Sequence, residues 1–314
     1  MSSRAAKTIV RRGLRSLGFL LACLGSQLAP AQSQAPIFDV HTHYKWDQAE
    51  ITTPQQALDF MDAAGVQRAL VIGTPADLAL QLKALAPERI VAFYGPYLLG
   101  GEKLSWQFRK ALVDEARAGL QSGQFQGIGE LHLIGSMAVR WDRSLVFREL
   151  LKLGLEFDVP LMVHTEYASI KPTVSMCQAN PENRFLLAHA GAVLPPEQVA
   201  RILDACPNVM MDLAARDPWR YVSNPIADES DRLLPAWREL LLNYPSRFMI
   251  GSDTVWPVDR ASSWDEPNSG WQELGRFIGF HRRWLADLPE PVARALRHAN
   301  AERYFGNGVT EAGR

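Results

Sequence analysis

From residue 36 onward, short apolar runs alternate with longer stretches whose apolar residues recur at helical spacing. The runs are rich in Val, Ile, Leu and Phe, which suit strands. They predict strands at 37–43, 68–73, 90–95, 125–133, 160–165, 184–190, 209–214 and 247–253. The 3.6-residue pattern predicts helices at 54–64, 75–85, 104–120, 144–157, 170–179, 196–205, 229–243, 271–285 and 290–298. Proline opens "PEQVARILDAC", and "NSG" at 268–270 separates the last strand from its helix. Strands regularly followed by helices predict a parallel sheet. Eight such units in about 270 residues have the length of a closed (β/α)8 TIM barrel with outer helices. The alternative, a doubly wound open sheet, would carry a glycine-rich turn after its first strand. This chain has "HTHYKWDQ" there instead. No repeat, linker or composition break interrupts 36–314, which reads as a single barrel domain.

The first 35 residues read differently. Arg4, Lys7, Arg11, Arg12 and Arg15 precede the apolar stretch "LGFLLACLG", and "APA" at 29–31 fits a small-x-small cleavage site. This is the layout of a cleaved export signal, and it predicts a periplasmic protein. Arg11–Arg12 loosely fits a twin-arginine route, and Cys23 offers a lipid anchor as an alternative. The apolar stretch is too short to span a bilayer, and no later one is long enough, so no stable membrane insertion of the mature chain is expected.

The net charge of -1 points away from nucleic acid and leaves a small molecule as the expected partner. No feature of the chain specifies an oligomeric state. Cys177 and Cys206 alone make no disulfide framework. Buried free thiols are the expectation for them, with one bridge as the alternative in an oxidising compartment.

The candidate chemistry lies at strand ends. In "IFDVHTH", residues 37–43, His41 and His43 share one face, because side chains alternate along a strand. Two imidazoles side by side are half of a metal site. His164 and His189 end predicted strands five and six, Asp253 ends strand eight, and Glu130 lies near the end of strand four. From His43 to Asp253 is 210 residues and seven strand-to-strand steps, each about the length of one barrel unit. Carboxyl ends of barrel strands share one mouth, where active sites of this fold sit. Six potential ligands would therefore converge there.

The motifs "DVHTH" at 39–43, "GIGEL" at 127–131, "PLMVHT" at 160–165, "FLLAHAG" at 185–191, "FMIGSD" at 248–253 and "NAERYFG" at 300–306 resemble the metal-dependent amidohydrolase superfamily. The likeness is greatest to its amidohydrolase family 2 branch. The resemblance implies that His41, His43 and His164 bind metal. It implies that Asp253 touches the metal and takes a proton from the attacking water. It leaves His189 either binding a second ion or polarising substrate and shuttling a proton. It leaves Glu130 bridging two ions, binding one, or orienting a ligand. The branch includes hydrolases of lactones and amides, hydratases and nonoxidative decarboxylases, so the reaction must come from the site.

The expected protein is an exported hydrolase using a metal-activated water on a small lactone, ester or amide. The expected cofactor is a divalent metal, zinc first, with manganese or iron as alternatives. A decarboxylase of a carboxylated ring, a metal-free enzyme and a catalytically silent periplasmic binding protein are the competing readings. Loops at the mouth carry Tyr44, Lys45, Trp46, Arg216, Trp219 and Trp256. Of these, Arg216, Trp46 and Trp256 are the expected substrate contacts, suited to a ring with an anionic group. His132 is expected to be structural, and His281 and His298 to be packing or surface residues.

Overall fold

The computed structural model describes residues 35–98, 102, 105–133, 141–166, 169–220, 223–257 and 267–306. The predicted export signal lies outside the described residues. Ala35–Arg314 forms one compact unit. Among the described residues no helix is long and apolar enough to cross a membrane.

Eight parallel strands run in chain order: β1 Ile37–Lys45, β2 Val66–Thr74, β3 Ile90–Phe93, β4 Ile128–Leu133, β5 Leu161–Thr165, β6 Phe185–Leu187, β7 Val209–Asp212 and β8 Phe248–Met249. Around them lie α1 Trp46–Ala49, α2 Pro54–Ala64, α3 Asp77–Leu85, α4 Ala111–Gln121, α5 Leu145–Glu156, α6 Lys171–Ala179, α7 Pro196–Ala205, α8 Pro235–Asn243, α9 Leu274–Leu285, α10 Glu290–Arg294 and α11 Asn300–Phe305. Helix α2 spans the residues its pattern predicts, because both ends are closed. Thr53 accepts a hydrogen bond from Gln56 N, and Gly65 ends the helix in the left-handed region. Predicted helix 104–120 is shorter: its first part is a single 3-10 turn, Trp106–Phe108.

Ladders join β1–β2–β3 and β4 through β8 in sequence order. Backbone bonds outside these ladders carry the ring across the two gaps. Tyr94 N donates to Gly127 O (2.9 Å) and Gly129 N to Tyr94 O (3.0 Å). Val40 N donates to Ile250 O (2.8 Å) and Asp253 N to His41 O (2.7 Å). The architecture is the (β/α)8 barrel.

The apolar interior has two layers. One lies between strands and helices and contains Ile37, Val71, Leu131, Leu133, Leu161 and Val163. The other consists of the opposite strand faces, Phe38, Val40, Leu70, Ile72, Phe93, Met162, Leu186 and Met249, with Ala301 and Phe305 of α11 packed onto them. Phe305 meets Phe38 and Phe93 at centroid distances of 5.6 and 6.0 Å.

Two bulges decide which side chains join the inner face. In β1, Asp39 pairs with Ala69 but Thr42 with Val71, so β1 carries one extra residue there. Phe38 and Val40 face inward, and the extra residue shifts the parity so that His41 and His43 do too. In β4, Ile128 pairs with Leu161 but Leu131 with Val163. That bulge turns Leu131 and Leu133 outward and Glu130 and His132 inward. Gly129 sits in it at φ 141°, a conformation that glycine reaches freely.

Cys177 at the end of α6 and Cys206 just after α7 form a disulfide. This corrects the expectation of free thiols: strands β5, β6 and β7 are neighbours, so the following helices bring the cysteines to a Cα separation of 5.8 Å.

Candidate metal centre

His41, His43, Glu130, His132, His164, His189, Asp212 and Asp253 are all buried. His41 Nε2 lies 3.2 Å from His43 Nε2. Asp253 Oδ1 is 3.9 Å from His41 Nε2 and 3.4 Å from His43 Nε2. Glu130 Oε2 is 3.8 and 3.5 Å from the same two nitrogens. An ion held tetrahedrally at about 2.1 Å from nitrogen and oxygen has ligand atoms about 3.4 Å apart. The observed separations bracket that value, so this donor set fits a divalent cation. His41, His43 and Asp253 form one compact ligand group, and Glu130, His132 and His164 another.

The ring tautomers agree with that fit. His41 Nδ1 faces Asp212 Oδ2 at 3.1 Å, and a carboxylate only accepts. The proton of a neutral ring therefore sits on Nδ1, leaving the Nε2 lone pair in the site. His189 Nδ1 faces the Ala214 carbonyl at 3.0 Å, which likewise only accepts. Its Nε2 points at Glu130 Oε1, 3.4 Å away. His164 differs: Nδ1 lies 2.7 Å from Glu130 Oε1 and Nε2 2.9 Å from Glu166 Oε1.

The charges explain why a cation belongs here. Burial works against a charge on His41, but the carboxylates of Asp212, Glu130 and Asp253 outweigh it and hold the ring up at about 10. Burial likewise opposes charge on His164, yet Glu130 and Glu166 lift it to about 9. Burial would raise Glu130, but His132, His164 and His41 hold it well below the usual carboxylate range. Asp253, raised by burial and lowered more by His41, His189 and His43, sits at about 2. Burial lowers His43. Buried carboxylates demand positive charge, and protons on His41 and His164 stand where a divalent ion would otherwise supply it.

Asp212 is the functional candidate that the sequence reading missed. It orients His41 through Oδ2, and its Oδ1 accepts from His189 N and Ala214 N at 3.0 Å each. The signal was present: Asp212 ends strand seven in "VMMD", the same position that marked the other candidates. His132, expected to be structural, also joins the inner face. Its Nδ1 bonds the Tyr97 hydroxyl (2.8 Å), and its Nε2 lies 3.7 Å from Glu130 Oε2. His281 fits its packing expectation: Nε2 donates to Gly251 O, and burial holds the ring down at about 3.

Arg216 is not a substrate contact. It is 0% exposed, and its guanidinium donates to the carbonyls of His189, Ala190, Leu194, Ser223 and Asn224. The loop after β7 turns it inward, where it stacks on Trp237 at 4.8 Å, and burial pushes its pKa down to about 9. Trp46 opens α1, half-buried beside Lys45. Trp256 is half-buried, and Arg276 of α9 lies 4.8 Å from both its ring and that of Trp219. Arg276, not Arg216, is the arginine beside the loop tryptophans Trp219 and Trp256.

Known proteins share the architecture. The structure resembles the TatD homologue YJJV of Escherichia coli, with TM-score 0.58 and 16% identity over 86% of this chain and 98% of that one. It resembles a zinc-bound amidohydrolase of Burkholderia multivorans, with TM-score 0.51 and 18% identity over 87% and 99%. A dihydroorotase of Campylobacter jejuni gives TM-score 0.50 and 14% identity over 86% and 83%. At these identities the likeness extends to the fold. Among curated protein sequences, none is similar enough to count as a match. The family model for amidohydrolases matches residues 38–306, nearly the whole described unit, and the chain therefore belongs to the amidohydrolase family of metal-dependent hydrolases.

Proposed function

We propose that the protein hydrolyses a small lactone, ester or amide with one zinc ion held by His41, His43, Asp253 and Glu130 Oε2. The observation that carries this reading is that Asp253 Oδ1 and Glu130 Oε2 each lie 3.4 to 3.9 Å from both His41 Nε2 and His43 Nε2, which are 3.2 Å apart. When bound, the ion supplies an acidified water and polarises the attacked carbonyl. Asp253 then accepts the proton of the attacking water and returns it to the leaving group. His189, with Nδ1 donating to Ala214 O, keeps the Nε2 lone pair in the site, where it can take up a proton and pass it on. Asp212 holds the His41 ring so that Nε2 stays in the site.

A second ion is less well provided for. Its ligands would be Glu130 Oε1, His164 and His189, but His164 Nδ1 is already in a 2.7 Å hydrogen bond with Glu130. That contact must open before an ion enters, so one tight equivalent is expected and a second binds more weakly.

The same reading makes the protein an exported one. A disulfide between Cys177 and Cys206 supports it, because such bridges persist in oxidising compartments. Elemental analysis and intact mass of the purified mature protein, beside a His41→Ala/His43→Ala double variant, test both parts. The expected result is about one equivalent of zinc, lost in the double variant, on a chain shortened at its N-terminus. A zinc-free wild type after reconstitution sinks the metal reading, and an unprocessed chain sinks export. Release of carbon dioxide from a carboxylated ring, without ester or amide hydrolysis, would reassign the site to decarboxylation.

A further inference from the structure

Two buried arginines follow β7 in "RDPWR", residues 216–220. Neither offers its guanidinium to the mouth of the barrel. Each reaches sideways and grips the backbone of a different neighbouring loop. Arg216 Nε donates to His189 O (2.8 Å) and one terminal nitrogen to Ala190 O (3.0 Å). Arg220 donates to Asp253 O (2.8 Å) and Ser252 O (2.9 Å), while its Nε pairs with Asp217 Oδ2 at 2.6 Å. Its guanidinium lies 4.2 Å from the Phe277 ring, which fixes its plane.

The gripped segments are unusual. His189 has φ 54°, Ala190 φ 47° and Asp253 φ 47°, all in the left-handed region that non-glycine residues avoid. Such conformations persist only where surrounding structure over-determines them. The arginines hold the carbonyls of all three of these residues, and also those of Ser252 (Arg220) and of Leu194, Ser223 and Asn224 (Arg216). A guanidinium presents several donors in a rigid plane, so it can clamp successive carbonyls. A lysine ammonium cannot match that geometry.

The geometry points to Arg216 and Arg220 as positioning residues for the metal centre: Arg216 sets the backbone that aims His189, and Arg220 sets the backbone that aims Asp253. This rests on the reading that His189 and Asp253 serve that centre. One arginine pair after β7 thus fixes the outputs of strands β6 and β8 on either side of it.

The test is zinc affinity, by competition with a chromophoric chelator, together with the visible spectrum of the cobalt(II) form. It compares wild type, Arg220→Lys and Asp217→Asn. The expected result for Arg220→Lys is a zinc affinity lower by about 10- to 100-fold. The cobalt spectrum should change while the zinc-free protein keeps its melting temperature within a few degrees. Asp217→Asn, which removes the negative charge facing Arg220 Nε without removing the guanidinium, should shift both readouts the same way but less. If Arg220→Lys does not fold, Asp217→Asn decides. Folded variants with wild-type zinc affinity and cobalt spectrum overturn the proposal. Failure of both variants to fold also overturns it, in favour of a purely structural tie. A wild type that takes up no zinc strikes the metal reading itself, an outcome distinct from either.

Discussion

The two ends of the barrel interior are built on opposite principles. At one end Phe38, Leu70, Phe93, Met162, Leu186 and Met249 meet Ala301 and Phe305, all of them apolar. At the other, within a few residues along the same strands, stand eight buried groups that carry or share protons: His41, His43, Glu130, His132, His164, His189, Asp212 and Asp253. The apolar end gains free energy from burial alone. The polar end gains nothing from burial, since each of its carboxylates must be balanced by an imidazole or an ion. His189, Ala190 and Asp253, all with positive φ, belong to the polar end. One end is thus a stability device and the other is held in place by the fold it does not help to create.

Four experiments would break or sharpen that contrast. The largest effect is expected from Asp253→Asn. Removing the proton acceptor should lower turnover by about 10²- to 10⁴-fold, with the unfolding transition in urea little changed. Wild-type rates on any ester, lactone or amide that the protein hydrolyses would remove Asp253 from the mechanism. Phe305→Ala is its mirror image. Phe305 is 8% exposed and touches two aromatic rings, so truncation should cost about 3–5 kcal/mol in urea unfolding. Zinc content of the folded fraction should not change; a loss of zinc at equal folded fraction would mean that the two ends are coupled.

The smallest effect concerns pH. His41 and His164 are raised in the folded, zinc-free protein to about 10 and about 9, from an unfolded value of about 6.5. Raised imidazoles stabilise the fold fully below the unfolded value, and that contribution is lost as pH rises through 9 to 10. The zinc-free protein should therefore lose stability across that alkaline window, and the zinc form should lose less. Zinc uptake near neutral pH should release protons, that of the His41 ring first. Calorimetry in two buffers of different ionisation enthalpy counts them, and a count of zero contradicts protons standing in for the ion.

Much of the fold was legible because barrel strands bury both faces and read as apolar runs of the right length. Helix α2 was legible to the residue, since Thr53 and Gly65 mark its ends chemically. The strands near the mouth were less so. Predicted strands 184–190 and 247–253 shrink to Phe185–Leu187 and Phe248–Met249. The residues after them leave the ladder to carry His189 and Asp253 in left-handed conformations, which an apolar run cannot announce. Arg216 was misread for a related reason. A loop arginine beside aromatic residues has the same letters whether it faces solvent or turns inward onto carbonyls. The pairing of Cys177 with Cys206 was also undecidable from spacing, since it depends on two helices lying side by side.

The sequence by itself determined the strand–helix alternation, the length of the barrel and the placement of His41, His43, Glu130, His164, His189 and Asp253 near strand ends. These are local properties: side-chain volume, polarity and periodicity act over a few residues. Only the tertiary structure decided which way those side chains point. The extra residues in β1 and β4 turn His41, His43 and Glu130 inward, and a bulge exists only relative to the partner strand that lacks it. The partners that aim the site, Asp212 beside His41, Arg216 at the His189 carbonyl and Arg220 at the Asp253 carbonyl, are separated from their targets by 171, 27 and 33 residues. Their roles are relations between loops, fixed by closure of the barrel and carried by no stretch of chain alone.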